Sequence, residues 1–272
     1  MYNPSILLLR ININGCSLDT NFRNTYKFLV SKMAFMEFTG CALTAYSPAL
    51  ALFLFTISHD PVRIIIMVSS AFFWLLALVV SSLFWNYITF GHLLPLCIVF
   101  SVIVQELFRF CFYKLMSKAK YGLRSLRVPN TNMDLLKNPY LVPYVAGLGY
   151  GVMSGAFSLF NVLAALSGPA TVGFTNPETG EAPSNYFAFF SAVFTMLFTL
   201  LHVAWSIIFF LAAERKMWTP MVFVVISHIV VSLSTTFFNP IGLYYVSIPI
   251  AIAVLATSCY WPHYLSTHPP IN

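Results

Sequence analysis

Three groups of residues in the chain have types and spacings that could carry chemistry. The stretch "VAGLGYGVMSGAFS", Val145–Ser158, sets Gly147, Gly151 and Gly155 four residues apart, with Ser154 and Ser158 beside them. A glycine loop can cradle phosphate, a serine backed by a histidine can be a nucleophile, and a row of glycines can let two helices touch. The second group, Gln105, Glu106 and Arg109, puts a carboxylate and a guanidinium three residues apart. The third is a pair of isolated imidazoles, His202 and His228, which could relay a proton, bind a metal or close a hydrogen-bonded cluster.

Which chemistry is open depends on the elements that hold these residues. Of 272 residues, 59% are hydrophobic and only 8% charged, and the mean hydropathy is +0.81. Soluble domains carry about 25% charged residues. A chain this apolar cannot cover a water-facing surface, so it belongs in a bilayer. A membrane helix needs about 20 mostly apolar residues. Seven stretches qualify: Phe38–Ser58, Ile64–Phe90, Leu93–Tyr113, Leu141–Ser167, Tyr186–Ala213, Trp218–Phe238 and Gly242–Trp261. Only the third contains Asp, Glu, Lys or Arg, namely Glu106 and Arg109. The breakers between them include "SHDPVR", "FGHL", the basic stretch Lys114–Tyr140, "ERK" and "NPIG". Trp85, Tyr140, Tyr186, Trp218 and Trp261 fall near span ends, where amphipathic rings are favoured. The fold expected is all-α, a polytopic membrane protein with seven transmembrane helices.

Basic residues orient it. The loops after the first, third and fifth spans carry Arg63, the series Lys114, Lys118, Lys120, Arg124, Arg127 and Lys137, and the pair Arg215 and Lys216. The alternate loops carry none. Positive residues stay cytoplasmic, so the amino terminus is expected outside (lumenal) and the carboxy terminus in the cytoplasm. Residues 1–32 conflict with this, holding Arg10, Arg23, Lys27 and Lys32 against Asp19 alone. The expectation is therefore that residues 1–34 are a disordered or non-native extension, with an internal start at Met33 or Met36 removing the conflict. Residues 35–262 then form the membrane domain and 263–272 a short cytoplasmic tail.

The net charge of +6 sits beside apolar runs and points to lipid headgroups, not nucleic acid. Five dispersed cysteines without CxxC spacing argue against a disulfide framework or a zinc site. No cofactor or metal is expected.

Membrane placement reduces the chemistry. A phosphate loop needs a terminal Gly-Lys-Ser/Thr, and Val145–Ser158 has no lysine and lies mid-span. An intramembrane aspartyl protease needs two acids sharing a proton; Asp19, Asp60 and Asp134 are all in tails or loops. A metalloprotease needs His-Glu-Xaa-Xaa-His, which is absent. Ser154 and His202 could meet, but "GVMSG" is not a tight nucleophile turn, so no catalytic residue is assigned. Residues at i, i+4 and i+8 share a helix face. The glycines with Ser154 and Ser158 therefore form a groove along the fourth span, for helix packing and assembly. Its neighbour, in this chain or a partner, is left open. Arg109 can snorkel toward the cytoplasmic headgroups and pair with Glu106. His202 and His228 are expected in an interior polar cluster with Gln105, Glu106 and Arg109, or with Ser232, Thr235 and Thr236. A transporter or channel using Glu106, His202 and His228 is the alternative.

The residues also resemble a known family. "FTGCALTAYSPALALFLFTISHDPVRIIIMVSSAFFWLLALVVSSLFW", "QELFRFCFYKLMSKA", the glycine ladder, "LH.AW" around His202, "SH" at His228 and "FFNP" ending at Pro240 together resemble the anterior-pharynx-defective (Aph) subunit of γ-secretase. The similarity runs over Phe35–Trp261. It implies a non-catalytic seven-helix scaffold with its amino terminus outside. The implied partners are nicastrin, presenilin and the presenilin-enhancer subunit, with membrane lipids around them. The resemblance implies that the glycine ladder supports the helix packing needed for assembly, and that the histidines matching His202 and His228 serve assembly and activity. The implied work is support for cleavage of type I membrane proteins, Notch-type receptors and amyloid-precursor-like proteins among them, at the endoplasmic reticulum, Golgi and plasma membrane. Residues 1–32, the short tail and "TNPETGEAPSN" depart from the family pattern.

Overall fold

The computed structural model describes residues 20–87, 94–126, 138–167, 186–239 and 241–267. They form α1 (Thr20–Thr56), α2 (Pro61–Tyr87), α3 (Leu94–Leu126), α4 (Leu141–Ser167), α5 (Phe187–Glu214), α6 (Trp218–Phe238) and α7 (Tyr244–Thr267). All seven are long and apolar enough to cross a membrane, and the described residues contain no strand.

The boundaries of α4 and α6 coincide with the expected spans, and three others run longer. The α3 helix continues past Tyr113 to Leu126, so the basic stretch from Lys114 begins as helix and not as loop. Lys, Ala, Leu and Arg are good helix formers, and no proline interrupts "KLMSKAKYGLRSL". Similarly, α1 starts at Thr20, while its apolar part is Phe35–Thr56. No Gly or Pro falls between Thr20 and Thr39, so the helix runs upstream of its apolar part through residues 20–34. The α7 helix reaches Thr267, into the expected tail. Residues 1–19, the loop "TNPETGEAPSN", Pro240, and the ends of the basic loop and the tail lie outside the described residues.

Short-range chemistry sets the turns. Asp60 receives a hydrogen bond from the Val62 N–H at Oδ1, 2.9 Å, and Pro61 takes the first helical position of α2, both favoured at a helix start. Arg63 donates from Nη1 to the Thr56 carbonyl at 2.6 Å, so the basic residue of this turn caps the end of α1. The end of α5 is a double-bonded cap: Met217 N–H reaches Ala212 O at 2.9 Å and Lys216 N–H reaches Ala213 O at 3.3 Å. That cap needs a left-handed residue, and Lys216 supplies it with φ 56°. Gly242, at φ 76°, makes the turn into α7, which is why that helix starts two residues after the expected span.

Burial falls on the middle helices. The most apolar window of α5 is 72% buried and that of α4 56%, against 28% or less for the others. The α5 helix packs against α1, α4, α6 and α7, while α4 also meets α1 and α2. The α3 helix lies against α2 and α6. Tyr186 and Trp218 are largely exposed at the ends of α5 and α6, as interfacial rings should be.

Candidate functional site

Two features meet in the bundle interior: a glycine seam between α4 and α5, and a polar knot joining α3, α5 and α6. The seam begins from the i, i+4 spacing of Gly147, Gly151 and Gly155 on one face of α4. A Cβ placed on Gly147 would lie 2.6 Å from the Val203 Cα and 2.9 Å from the His202 carbonyl oxygen. One on Gly151 would lie 2.7 Å from the Thr199 carbonyl oxygen and 2.9 Å from its Cα. One on Gly155 meets side chains instead, Thr195 Cγ2 at 3.0 Å and Thr199 Oγ1 at 3.2 Å. The neighbour left open by the spacing is therefore α5 of the same chain. Close backbone approach of this kind maximises dispersion, which carries helix association where lipid removes the hydrophobic drive. Hydroxyls seal it: Thr199 Oγ1 donates to the Gly151 carbonyl at 3.2 Å, and Ser158 Oγ lies 3.3 Å from Thr195 Oγ1. From α1, Tyr46 donates to the Gly155 carbonyl at 3.2 Å.

The ladder spacing misses one glycine. Gly149 faces the other way, and a Cβ there would run into Ser70 Oγ and the Met67 carbonyl of α2. The α4 helix thus has close backbone contacts on two sides. The alternation of Gly147, Gly149 and Gly151 is the sequence signal, because residues two apart point to different helix faces. Ser154 is half-buried, and no hydrogen bond joins it to either histidine.

The knot starts from Glu106 and Arg109, one helical turn apart on α3. Arg109 donates from Nη1 to Glu106 Oε2 at 2.9 Å. Its Nη2 lies 2.8 Å from His202 Nδ1 on α5. Glu106 Oε1 lies 2.8 Å from His228 Nδ1 on α6. The guanidinium carbon is 5.2 Å from the centre of the Tyr150 ring on α4, within cation–π range. Trp205, one turn after His202, stacks on His228 at 4.4 Å. None of these six side chains is more than 4% exposed. The Nε of Arg109, Tyr150 OH, Trp205 Nε1 and Ser206 Oγ are buried without a hydrogen-bond partner.

This geometry corrects one expectation and closes one alternative. Arg109 does not snorkel: its side chain turns inward and is fully buried. An aliphatic stem can reach headgroups only when nothing inside satisfies the cation better, and here a carboxylate, an imidazole and an aromatic face do. Ser232, Thr235 and Thr236 do not join the histidines, since the two threonine hydroxyls bond the Ser232 carbonyl of their own helix. Gln105 is half-buried and takes no part in these bonds. Tyr150 and Trp205 are the knot residues that spacing does not single out. Their signal is the one-turn offset from Gly147 and from His202. Among the described residues, no group of three or more His, Cys, Asp and Glu side chains could hold a metal.

The seam and the knot lie wholly within the segment matched by comparison with known proteins. The Aph-1 family model, described as Aph-1 protein, matches residues 36–268.

The chain belongs to the Aph-1 family.

It is 39% identical over 250 residues to a mouse (Mus musculus) protein named putative gamma-secretase subunit APH-1C, covering 86% of this chain and 90% of that one. It is 40% identical over 230 residues to human (Homo sapiens) gamma-secretase subunit APH-1B, covering 81% and 86%. Gamma-secretase subunit Aph-1 of Drosophila melanogaster is 41% identical over 203 residues, covering 75% and 82%. The family match runs from within α1 to the end of α7.

Proposed function

We propose that the chain is a non-catalytic scaffold subunit of the gamma-secretase complex, which assembles, stabilises and activates an intramembrane aspartyl protease carried by another subunit. The observation that carries this reading is the backbone-to-backbone seam of α4 on α5, in an Aph-1 chain whose relatives are named gamma-secretase subunits. A seam limited by backbone atoms has one register, because flexible side chains are not there to absorb a slip. The knot adds polar links to α3 and α6. Together they hold apolar outer faces in fixed relation, the requirement for docking several membrane partners. The proposed partners are presenilin, nicastrin and the presenilin-enhancer subunit. The proposed outcome is cleavage of type I membrane proteins, Notch-type receptors and amyloid-precursor-like proteins among them, in endoplasmic reticulum, Golgi and plasma membrane. The proposed orientation puts the amino terminus in the lumen.

The non-catalytic part of the reading is supported by the state of Glu106. Both carboxylate oxygens of this buried acid are bonded, to Arg109 and to His228. An aspartyl protease needs two acids sharing one proton, and among the described residues no second acid bonds into this cluster. Gly151→Leu tests the scaffold reading: the variant should lose co-purified presenilin and nicastrin. Gly40→Leu, at a glycine with nothing within 4 Å of a Cβ, should retain both. Intact complexes with normal cleavage in Gly151→Leu would overturn the role given to the seam.

A further inference from the structure

A guanidinium carries five N–H donors and no acceptor, and it stays protonated in proteins. The 2.8 Å contact between Arg109 Nη2 and His202 Nδ1 therefore has one chemical reading: Arg109 donates and Nδ1 accepts. The ring proton of His202 must then sit on Nε2. On the other side, Glu106 accepts from Arg109 at Oε2. It must be ionised to balance a fully buried cation, since an unpaired buried charge is strongly unfavourable. A carboxylate only accepts, so the 2.8 Å contact of Oε1 with His228 Nδ1 requires the proton on Nδ1 of that ring.

We infer that His202 and His228 are held as opposite neutral tautomers, Nε2–H at position 202 and Nδ1–H at position 228, by a single chain of directed hydrogen bonds centred on the Glu106–Arg109 pair. His228 and Arg109 both donate to Glu106, and Arg109 donates onward to His202. Tyr150 from α4 and Trp205 from α5 contribute ring faces to the cluster. The charges of Glu106 and Arg109 cancel, and the knot is neutral as a whole.

Two consequences follow. First, the histidines are not interchangeable, although each uses Nδ1: one is an acceptor that ties α5 to α3, the other a donor that ties α6 to α3. Arg109 is the positioning residue for α5. The α3 and α5 backbones are not closely packed, and the gap is bridged by this side chain and by ring contacts such as Phe110 with Phe209. Second, a proton cannot pass from His202 to Glu106 through Arg109. Arg109 has no lone pair to receive it, so the hydrogen-bonded link from His202 to Glu106 acts as a strut and not as a relay.

The test does not depend on the partners proposed above. The full chain, labelled with ¹⁵N-histidine and placed in lipid nanodiscs, is examined by long-range ¹H–¹⁵N correlation. The other four signals are identified from chains in which His59, His92, His263 and His268 are replaced one at a time, and the two that remain are told apart by which one is lost in His228→Asn. The expected spectrum at neutral pH shows His202 protonated only at Nε2 and His228 only at Nδ1. The reverse pair, two rings of the same tautomer, or either ring carrying both protons would overturn the inference. The double variant Glu106→Gln/Arg109→Met leaves no stranded charge and so is suited to fold. In it, His202 should lose its single tautomer and show a mixture. An unchanged Nε2–H signal at His202 in that variant would overturn the role given to Arg109.

Discussion

Arg109 governs the energetics of the interior because it is a fully buried cation with three different stabilising neighbours: Glu106, His202 and the Tyr150 ring. Removing one partner of a buried pair leaves the other charge uncompensated, at a cost of about 3–5 kcal/mol. Arg109→Met should therefore lower the thermal midpoint of the purified protein strongly. Glu106→Gln/Arg109→Met should lower it less than Arg109→Met alone, a non-additivity that a double-mutant cycle reads directly. A double variant as damaged as the sum of the single ones would remove the pair from the account of stability. Ser154→Ala, by contrast, should leave both assembly and proteolysis by a complex containing the chain near wild type; loss of turnover without loss of assembly would restore Ser154 as a nucleophile. At this scale the sequence was partly legible. The three-residue spacing of Glu106 and Arg109 gave their pairing, and mid-span placement gave the interior position of the histidines. The direction of Arg109 was not legible, since snorkelling and inward pairing both fit α3 alone. The choice depends on His202, 93 residues away along the chain.

The α4 helix is where spacing and packing can be compared position by position. A new Cβ at Gly147, Gly149 or Gly151 meets backbone atoms of α5 or α2, which cannot rotate away. At Gly155 it meets the Thr195 methyl and the Thr199 hydroxyl, which can. Overpacking typically costs about 1–3 kcal/mol, so alanine at the first three should fall at or above the top of that range. Alanine at Gly155 should fall near the bottom, and at Gly40 near zero. Thermal midpoints of the five variants give the order, and equal effects at Gly155 and Gly151 would contradict the backbone-limited seam. The turn after α5 offers the opposite sign. Lys216 holds φ 56°, a conformation costing an ordinary residue roughly 1–2 kcal/mol. Lys216→Gly should stabilise the chain by up to about 1 kcal/mol in the same assay. The face of α4 was readable because i, i+4 periodicity needs only local geometry. That the face met α5, and that Gly149 met α2, could not be read, because tertiary neighbours leave no mark in spacing.

For the molecule as a whole, seven spans were legible because lipid demands long apolar segments, a constraint written along the chain itself. Their ends were less so: α1, α3 and α7 extend where apolar composition stops but helix-forming residues continue. The positions of α4 and α5 at the centre follow from small and hydroxylated residues that permit contact on several sides. Hydropathy alone ranks α2 as the most apolar span, yet it lies at the periphery. The proposed orientation is checked by thiol labelling of intact cells carrying Lys216→Cys or Asn239→Cys in a chain whose five native cysteines are replaced: the first should be protected from an impermeant reagent and the second labelled, the reverse pattern contradicting it. The central claim is that this Aph-1 chain works as a structural subunit of a protease complex. It is tested most directly by affinity purification of the tagged full chain from native membranes, with identification and stoichiometry of co-eluting proteins. The expected result is presenilin, nicastrin and the presenilin-enhancer subunit co-eluting with the chain. Recovery of the folded chain at endogenous abundance without them would contradict the claim.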